Sequence, residues 1–194
     1  MIGRMAVFIL RAFFSIAGLA ASAAGASAQD VTACAIVTGD VAQKFVGGPL
    51  DVKEQAKVPI DNAPGAYNSV CTYIARGLAV DKALTAPRLL DLTLHFLDTP
   101  EAMAKIYENS VINYSQVVNI PDERFKNPTV NFLPGFGDKA FVFEAVTDPQ
   151  SNFKSALIVF YKGRIGGSIA AWQRPEPSAE TTKAVLKYIL SRLP

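Results

Sequence analysis

Residues 132–172 constrain the fold of this chain more than any other stretch, because their apolar side chains alternate as they do in successive β-strands. Strands are predicted at residues 139–146, 156–161 and 165–172. The dipeptide Lys162-Gly163, between the last two, is typical of a tight hairpin. The stretch therefore predicts three antiparallel strands in succession, and its glycines are predicted to serve turns and bends.

The rest of the chain adds two strands and three helices. Alternating apolar residues predict strands at residues 70–76 and 88–97. Helix starts are indicated by Thr38, by Pro100 and by Ser178, since each belongs to a capping or first-turn pattern. The last two helices also carry apolar residues at helical spacing, so each is predicted to bury one face.

Two stretches without clear periodicity, residues 50–68 and 115–131, are predicted to be loops. The order of elements is then α-β-β-α-β-β-β-α. Strands joined by short links, with helices set apart from them, are typical of α+β folds. The sequence therefore predicts a two-layer α+β sandwich, in which helices pack on a mainly antiparallel sheet of about five strands.

The first 28 residues have the parts of a secretory signal peptide. Arg4 and Arg11 supply positive charge, an apolar run follows, and Ala26-Ser27-Ala28 satisfies the small-residue rule for cleavage. The remaining chain, residues 29–194, is predicted to be a single domain that is periplasmic or secreted. No membrane span is predicted after cleavage.

Removal of that segment leaves the chain close to neutral. The full sequence has 19 basic and 17 acidic residues, and only the basic Arg4 and Arg11 precede the cleavage point, which leaves 17 of each sign. No block of basic residues stands out along the chain. The charge balance therefore argues against nucleic acid as a partner.

The sequence contains two cysteines, Cys34 and Cys71. An even number of cysteines in an exported chain favours a disulfide, because the compartment is oxidising. An alternative is that Val31-Thr32-Ala33-Cys34 acts as a lipobox, so that Cys34 would carry a lipid and anchor the chain to a membrane. The small residues and Gln29-Asp30 that separate Cys34 from the apolar run weigh against this alternative.

Three motifs together resemble a group of small exported bacterial domains of unknown function. The first runs from Cys34 through a threonine-capped helix to Gly48, the second is Cys71-Thr72-Tyr73, and the third is Gly135-Phe136-Gly137-Asp138-Lys139-Ala140-Phe141. The resemblance covers most of the chain after the signal peptide. It implies a link between the two cysteines, an envelope location and an α+β layout, and it implies no catalytic residues. Residues 113–131 depart from the pattern.

Candidate catalytic side chains are few. His95 is the only histidine and is predicted to share a strand face with Asp91, which could in principle serve a general base or a metal site. A lone histidine is more often an ordinary surface residue. Residues 163–168 are rich in glycine but lack the Lys-Ser/Thr ending of a phosphate-binding loop. The sequence therefore predicts no enzyme activity, no metal site and no cofactor.

Two functional hypotheses remain, and both concern binding. The first is that an apolar patch in residues 115–131 binds another envelope protein. The second is that the domain carries a small apolar molecule or lipid in a pocket between the sheet and its helices. The candidate binding residues are apolar side chains near predicted loops: Phe136, Trp172, Val118, Ile120 and Phe125.

Overall fold

The computed structural model describes residues 31–61, 63–76, 88–119, 125–148, 153–173 and 178–194. The predicted signal peptide lies outside these residues, so it stays a prediction, as does the domain boundary at residue 28. None of the helices in the described ranges has both the length and the apolar character needed to cross a membrane.

The described residues form four helices and seven strands. In chain order they are α1 (Ala33–Ile36), α2 (Gly39–Val46), β1 (Leu50–Pro59), β2 (Tyr67–Ala75), β3 (Arg88–Phe96), α3 (Pro100–Asn119), β4 (Lys126–Phe132), β5 (Lys139–Asp148), β6 (Phe153–Lys162), β7 (Ile165–Gln173) and α4 (Ser178–Leu190).

All seven strands belong to one antiparallel sheet with the order β1-β2-β3-β7-β6-β5-β4. Strands β1 to β3 pair in the order of the sequence, and so do strands β4 to β7. The two groups meet where β3 pairs with β7, in a register that places Asp91 opposite Ala170 and Thr93 opposite Ser168. The prediction of an α+β fold with a mainly antiparallel sheet is therefore confirmed.

Helices cover both faces of the sheet and the sheet has seven strands, so the predicted two-layer sandwich of about five strands corresponds only roughly to the structure. On the first face, α1, α2 and α4 pack on side chains such as Leu92, Ile158 and Ile169. On the second face, α3 packs on the strands from β7 to β4 and buries Met103 and Tyr107 against them. Strands β5 and β6 are apolar on both sides because each of their faces is covered.

Strands β1 and β4 are the two edges of the sheet, and both fall in stretches that were predicted to be loops. Strand β1 has nine exposed residues out of ten, and β4 has a residue with positive φ, Asn127, followed by Pro128. Strand β1 therefore shows no alternation of buried and exposed side chains, and the proline of β4 is tolerated because edge strands accept proline and irregular residues. Helix α3 also continues to Asn119, further than predicted.

Helix α1 and the residues beside it lie along β2, and a disulfide and three hydrogen bonds hold them there. Cys34 and Cys71 form a disulfide with Cα atoms 5.2 Å apart, as the cysteine count favoured. The amide of Ala33 donates a hydrogen bond to the buried Ser69 hydroxyl, at 2.8 Å. The hydroxyl of Tyr67 donates a hydrogen bond to the carbonyl oxygen of Val31, and the hydroxyl of Tyr73 donates one to the carbonyl oxygen of Val37. Residues 31–37 thus run alongside residues 67–73 from end to end.

Two glycines permit close contacts that a side chain would block. Gly137 has φ +63°, and a Cβ there would overlap the carbonyl oxygen of Tyr161. A Cβ at Gly167 would overlap the carbonyl oxygen of Thr93 on the neighbouring strand. The neighbouring Asp138 side chain accepts a 2.7 Å hydrogen bond from the amide of Gly163. These glycines therefore serve bends and close packing, as the sequence predicted.

Candidate functional site

A concavity lies between α3 and the segment that joins β4 to β5. Its volume is about 710 Å³. We call it the helix groove. The residues that line it are Tyr107, Glu108, Val111, Ile112, Phe132, Leu133, Pro134, Gly135, Asp138, Lys139 and Ala140.

Helix α3 forms one wall of the groove, and the sequence around residue 99 determines where this helix begins. Thr99 caps the helix, since its hydroxyl accepts a 3.1 Å hydrogen bond from the amide of Ala102, and Pro100 occupies the first helical position. Met103 packs where Gly166 leaves room, because a Cβ at Gly166 would meet the methionine sulfur. The start of the helix is thus fixed on β7, and its later turns extend over β5 and β6.

Two large apolar side chains of the groove are exposed. Ile112 on α3 is 54 % exposed and Phe132 at the end of β4 is 64 % exposed. Both line the helix groove, so their exposed surfaces belong to one concavity. Apolar surface concentrated in one concavity is typical of a binding site, whereas single exposed apolar residues are common on any protein.

The groove wall also contains a buried hydroxyl without a partner. Tyr107 is only 2 % exposed, and its hydroxyl oxygen has no hydrogen-bond partner among the described residues. Burial, together with the nearby hydroxyl of Tyr161, raises the pKa of Tyr107 to about 12. The ring packs against Phe141 and Tyr161, with centroid distances of 5.6 and 5.3 Å. An unpaired buried hydroxyl costs free energy, and such groups are rare in folded proteins.

Three charged side chains also line the helix groove. Glu108, Asp138 and Lys139 line it and are exposed to solvent. A mostly apolar pocket with a few polar groups at its border suits a molecule that is apolar along most of its length. The charges would then fix the orientation of such a molecule.

Two of the sequence-predicted binding residues, Phe136 and Phe125, pack on opposite faces of the sheet. Phe136 is half-buried against the first face of the sheet, with the Lys187 ammonium 5.7 Å from its ring centroid. Phe125 is half-buried against Phe143, and Val118 is 38 % exposed near the end of α3. The side chain of Trp172 and the whole of Ile120 lie outside the described residues.

Ile112, a central residue of the groove, was missed by sequence reasoning. It does not belong to the apolar stripe of α3, which contains Met103, Tyr107 and Val111. An aliphatic residue outside the buried stripe of an amphipathic helix was the available signal. Phe132, in contrast, stood among several aromatic residues of the sequence, and nothing in its spacing separated it from the core.

The histidine and the aspartate predicted to share a strand face do so, and each bonds to β2. The Nδ1 atom of His95 is 2.5 Å from the Oδ1 atom of Asn68, and Thr72 donates a 2.7 Å hydrogen bond to Asp91. Burial lowers the pKa of His95. Across the described ranges, no three His, Cys, Asp or Glu side chains are grouped so that they could hold a metal ion.

No protein-family model matches this chain, and no curated protein matches it. The motif-based resemblance to small exported bacterial domains therefore stays a prediction, apart from the cysteine link and the α+β layout. One solved structure, the extracellular domain of PknH from Mycobacterium tuberculosis, has a similar fold, with a TM-score of 0.54 and 7 % sequence identity. The match covers 81 % of this chain and 92 % of that domain. At this level of identity, the likeness is one of fold.

Proposed function

We propose that this chain is an exported domain that binds a small, mostly apolar molecule in the helix groove. The observation that carries the proposal is the convergence of exposed Ile112 and Phe132 in one concavity of about 710 Å³. Pockets for small molecules typically have volumes of about 300–1,000 Å³ and are mainly apolar with a few polar groups. The groove has this size and this kind of lining.

The unpaired hydroxyl of Tyr107 adds a second argument. A buried hydroxyl that lacks a protein partner is costly unless a ligand or water meets it in the working state. Tyr107 lines the groove, and its hydroxyl is buried without a partner among the described residues. A ligand with one hydrogen-bonding group near its apolar body would satisfy it.

Export is supported by the disulfide between Cys34 and Cys71 and by the signal-peptide pattern of the first 28 residues. The similar fold of the PknH domain belongs to an extracellular domain, which is consistent with a fold that works outside the cytoplasm.

The competing hypothesis is that residues 115–131 bind a partner protein through an exposed apolar patch, and the structure does not support such a patch among the described residues. Val117 and Phe125 pack against the core under α3, so they do not form an exposed patch with Val118. The stretch is also not a loop in its described parts, since it contains the end of α3 and much of β4.

Binding of the neutral probe N-phenyl-1-naphthylamine, followed by fluorescence, tests the proposal. We expect saturable binding to the wild-type chain and an affinity at least about tenfold weaker for Ile112→Glu, since a charge would enter the apolar wall. Ile112 is exposed, so this change leaves the fold intact. Val58→Glu is the matched control, because Val58 is 43 % exposed on β1, outside the groove.

Two results would count against the helix groove. One is the absence of saturable binding to the wild-type chain. The other is equal affinity for wild type and Ile112→Glu, which would place the probe elsewhere. If the probe binds as expected, mass spectrometry of the small molecules that co-purify with the protein from its native envelope would identify the natural ligand class.

A further inference from the structure

A second, smaller concavity lies on the same face of the sheet, beside the part that α3 covers. Its volume is about 300 Å³. We call it the sheet cleft. The residues that line it are Asp91, Thr93, Tyr114, Phe125, Phe143, Ser155, Ala156, Leu157, Ser168 and Ala170.

The strand register gives the sheet cleft a polar end and an apolar end. Asp91, Ala170, Leu157 and Phe143 occupy one row across β3, β7, β6 and β5. Since neighbouring strands are about 4.8 Å apart, the row places the backbone of Asp91 roughly 14 Å from that of Phe143. The side chains of the row therefore change from a carboxylate to aliphatic groups to an aromatic ring.

The apolar end is a cluster of three aromatic rings. The ring of Tyr114, on α3, lies 4.9 Å from that of Phe143, and the ring of Phe125 lies 5.6 Å from Phe143 and almost perpendicular to it. Such tilted contacts are the favoured geometry for aromatic pairs and hold the rings in place. The apolar end of the cleft is thus a preformed surface.

The polar end contains one carboxylate and no cation among the ten lining residues. Asp91 is half-buried and accepts a 2.7 Å hydrogen bond from Thr72. Burial raises the pKa of Asp91, although hydrogen bonds from Thr72 and from the backbone of Leu92 act in the opposite direction. None of the described lining residues therefore supplies a countercharge to this carboxylate, and the hydroxyls of Thr93 and Ser168 are placed in the adjacent row.

We infer that the sheet cleft binds a small amphipathic amine, with its ammonium group at Asp91 and its apolar body along Ala170 and Leu157 towards the aromatic cluster. An ammonium group supplies the missing positive charge and can donate hydrogen bonds to the carboxylate and to a neighbouring hydroxyl. The aliphatic row and the rings of Phe143 and Tyr114 suit a short hydrocarbon chain. This site is separate from the helix groove.

Three probes of the same length separate charge from hydrophobicity: hexylammonium, hexanol and hexanoate. Binding of each probe to the wild-type protein is measured by calorimetry. We expect hexylammonium to bind at least about tenfold more tightly than hexanol, and hexanoate to bind most weakly, because its charge repels Asp91. Equal affinity for hexylammonium and hexanol, or tighter binding of hexanoate, would overturn the inference.

The variant Asp91→Asn tests the role of the carboxylate. We expect it to remove the preference for hexylammonium over hexanol, whereas Asp40→Asn, an exposed change on α2, leaves the preference unchanged. An unchanged preference in Asp91→Asn would refute the proposed contact. Saturable binding of methyl glucoside in place of the amine would also refute it, since a sugar would use the same carboxylate and rings without a positive charge.

Amide chemical shifts locate the amine in the wild-type protein, so the inference can be tested even if Asp91→Asn folds poorly. Hexylammonium should shift the amides of Thr93 and Ser168 and leave those of Ile112 and Val58 unchanged. Shifts confined to Ile112 would assign the amine to the helix groove and overturn the inference. Because Ile112→Glu disrupts only the helix groove, it should leave hexylammonium binding intact.

Discussion

The hydroxyl of Tyr73 donates a hydrogen bond to the carbonyl oxygen of Val37, and both residues are completely buried. This contact is the last, in chain order, of the hydrogen bonds that hold α1 along β2. Burial, with a smaller effect from Glu54, raises the pKa of the Tyr73 hydroxyl, so the group stays protonated and remains a donor. The N-terminal part of the described chain is therefore fastened to the sheet by polar contacts as well as by the disulfide.

Two tyrosine-to-phenylalanine changes should have different effects on stability. Tyr73→Phe leaves the buried carbonyl of Val37 without its donor, and we expect the free energy of unfolding to fall by about 1–3 kcal/mol. Tyr107→Phe removes a hydroxyl that has no partner among the described residues, and we expect no loss of stability or a small gain. Urea denaturation followed by circular dichroism measures both. A clear loss in Tyr107→Phe would reveal a partner for that hydroxyl.

Removal of the disulfide should lower stability through the unfolded chain. Cys34 and Cys71 are 37 residues apart in sequence, and closing a loop of that length restricts the unfolded state. We expect the double change Cys34→Ala and Cys71→Ala to cost about 2–4 kcal/mol in the free energy of unfolding. The wild-type protein under reducing conditions is the control and should unfold at the same urea concentration as the double variant. Equal stability of oxidised wild type and the double variant would contradict this prediction.

Gly167 should tolerate no side chain, because a Cβ there would overlap the backbone of Thr93. We expect Gly167→Ala to lower the free energy of unfolding by more than about 3 kcal/mol or to prevent folding, since the neighbouring strand would have to move. Gly135→Ala is the control: a Cβ at Gly135 meets nothing within 4 Å, and only its φ of +82° opposes the change. The free energy of unfolding of that control should fall by about 1–2 kcal/mol, which is the usual cost of left-handed backbone for a residue other than glycine. Similar thermal stabilities of the two variants would show that β3 and β7 can separate at low cost.

His95 should make the protein less stable in mild acid. Burial lowers its pKa, so below the usual histidine pKa of about 6.5 the unfolded chain binds a proton more readily than the folded chain does. Stability is therefore complete above that pH and falls as the pH drops through and below it. We expect unfolding measured from about pH 7.5 to about pH 5 to show a larger loss for wild type than for His95→Gln. Asp91, on the same strand face, titrates both in wild type and in His95→Gln. If stability fell equally with pH in the two proteins, the pH dependence would belong to groups other than His95.

The interior of the sheet was predictable from sequence because burial leaves a periodic pattern. The predicted strands at residues 139–146, 156–161 and 165–172 correspond to β5, β6 and β7, and the hairpin at Gly163 is present. Thr99 and Pro100 likewise marked the start of α3. In each case, a local rule of side-chain spacing or capping agreed with the tertiary structure.

The edges of the sheet and the candidate site were much less predictable. Strand β1 is almost wholly exposed, so its residues carry no hydrophobic period. The helix groove depends on Ile112 and Phe132, which are distant in sequence and come together only because α3 crosses the sheet towards β4. A site built from such contacts follows no spacing rule in the sequence, whereas the even number of cysteines and the export signal together favoured the disulfide.

The single pairing of β3 with β7 has a consequence for the order in which the molecule assembles. Among the described strands, every other ladder joins strands that follow one another along the chain, so each of the two groups can form from local hairpins. The β3–β7 ladder instead has to bring together distant segments, so we expect it to close more slowly than the local hairpins. Gly167 lies within that ladder and lets the backbones approach. A change there would therefore delay the union of the two halves, while each half could still form its own hairpins.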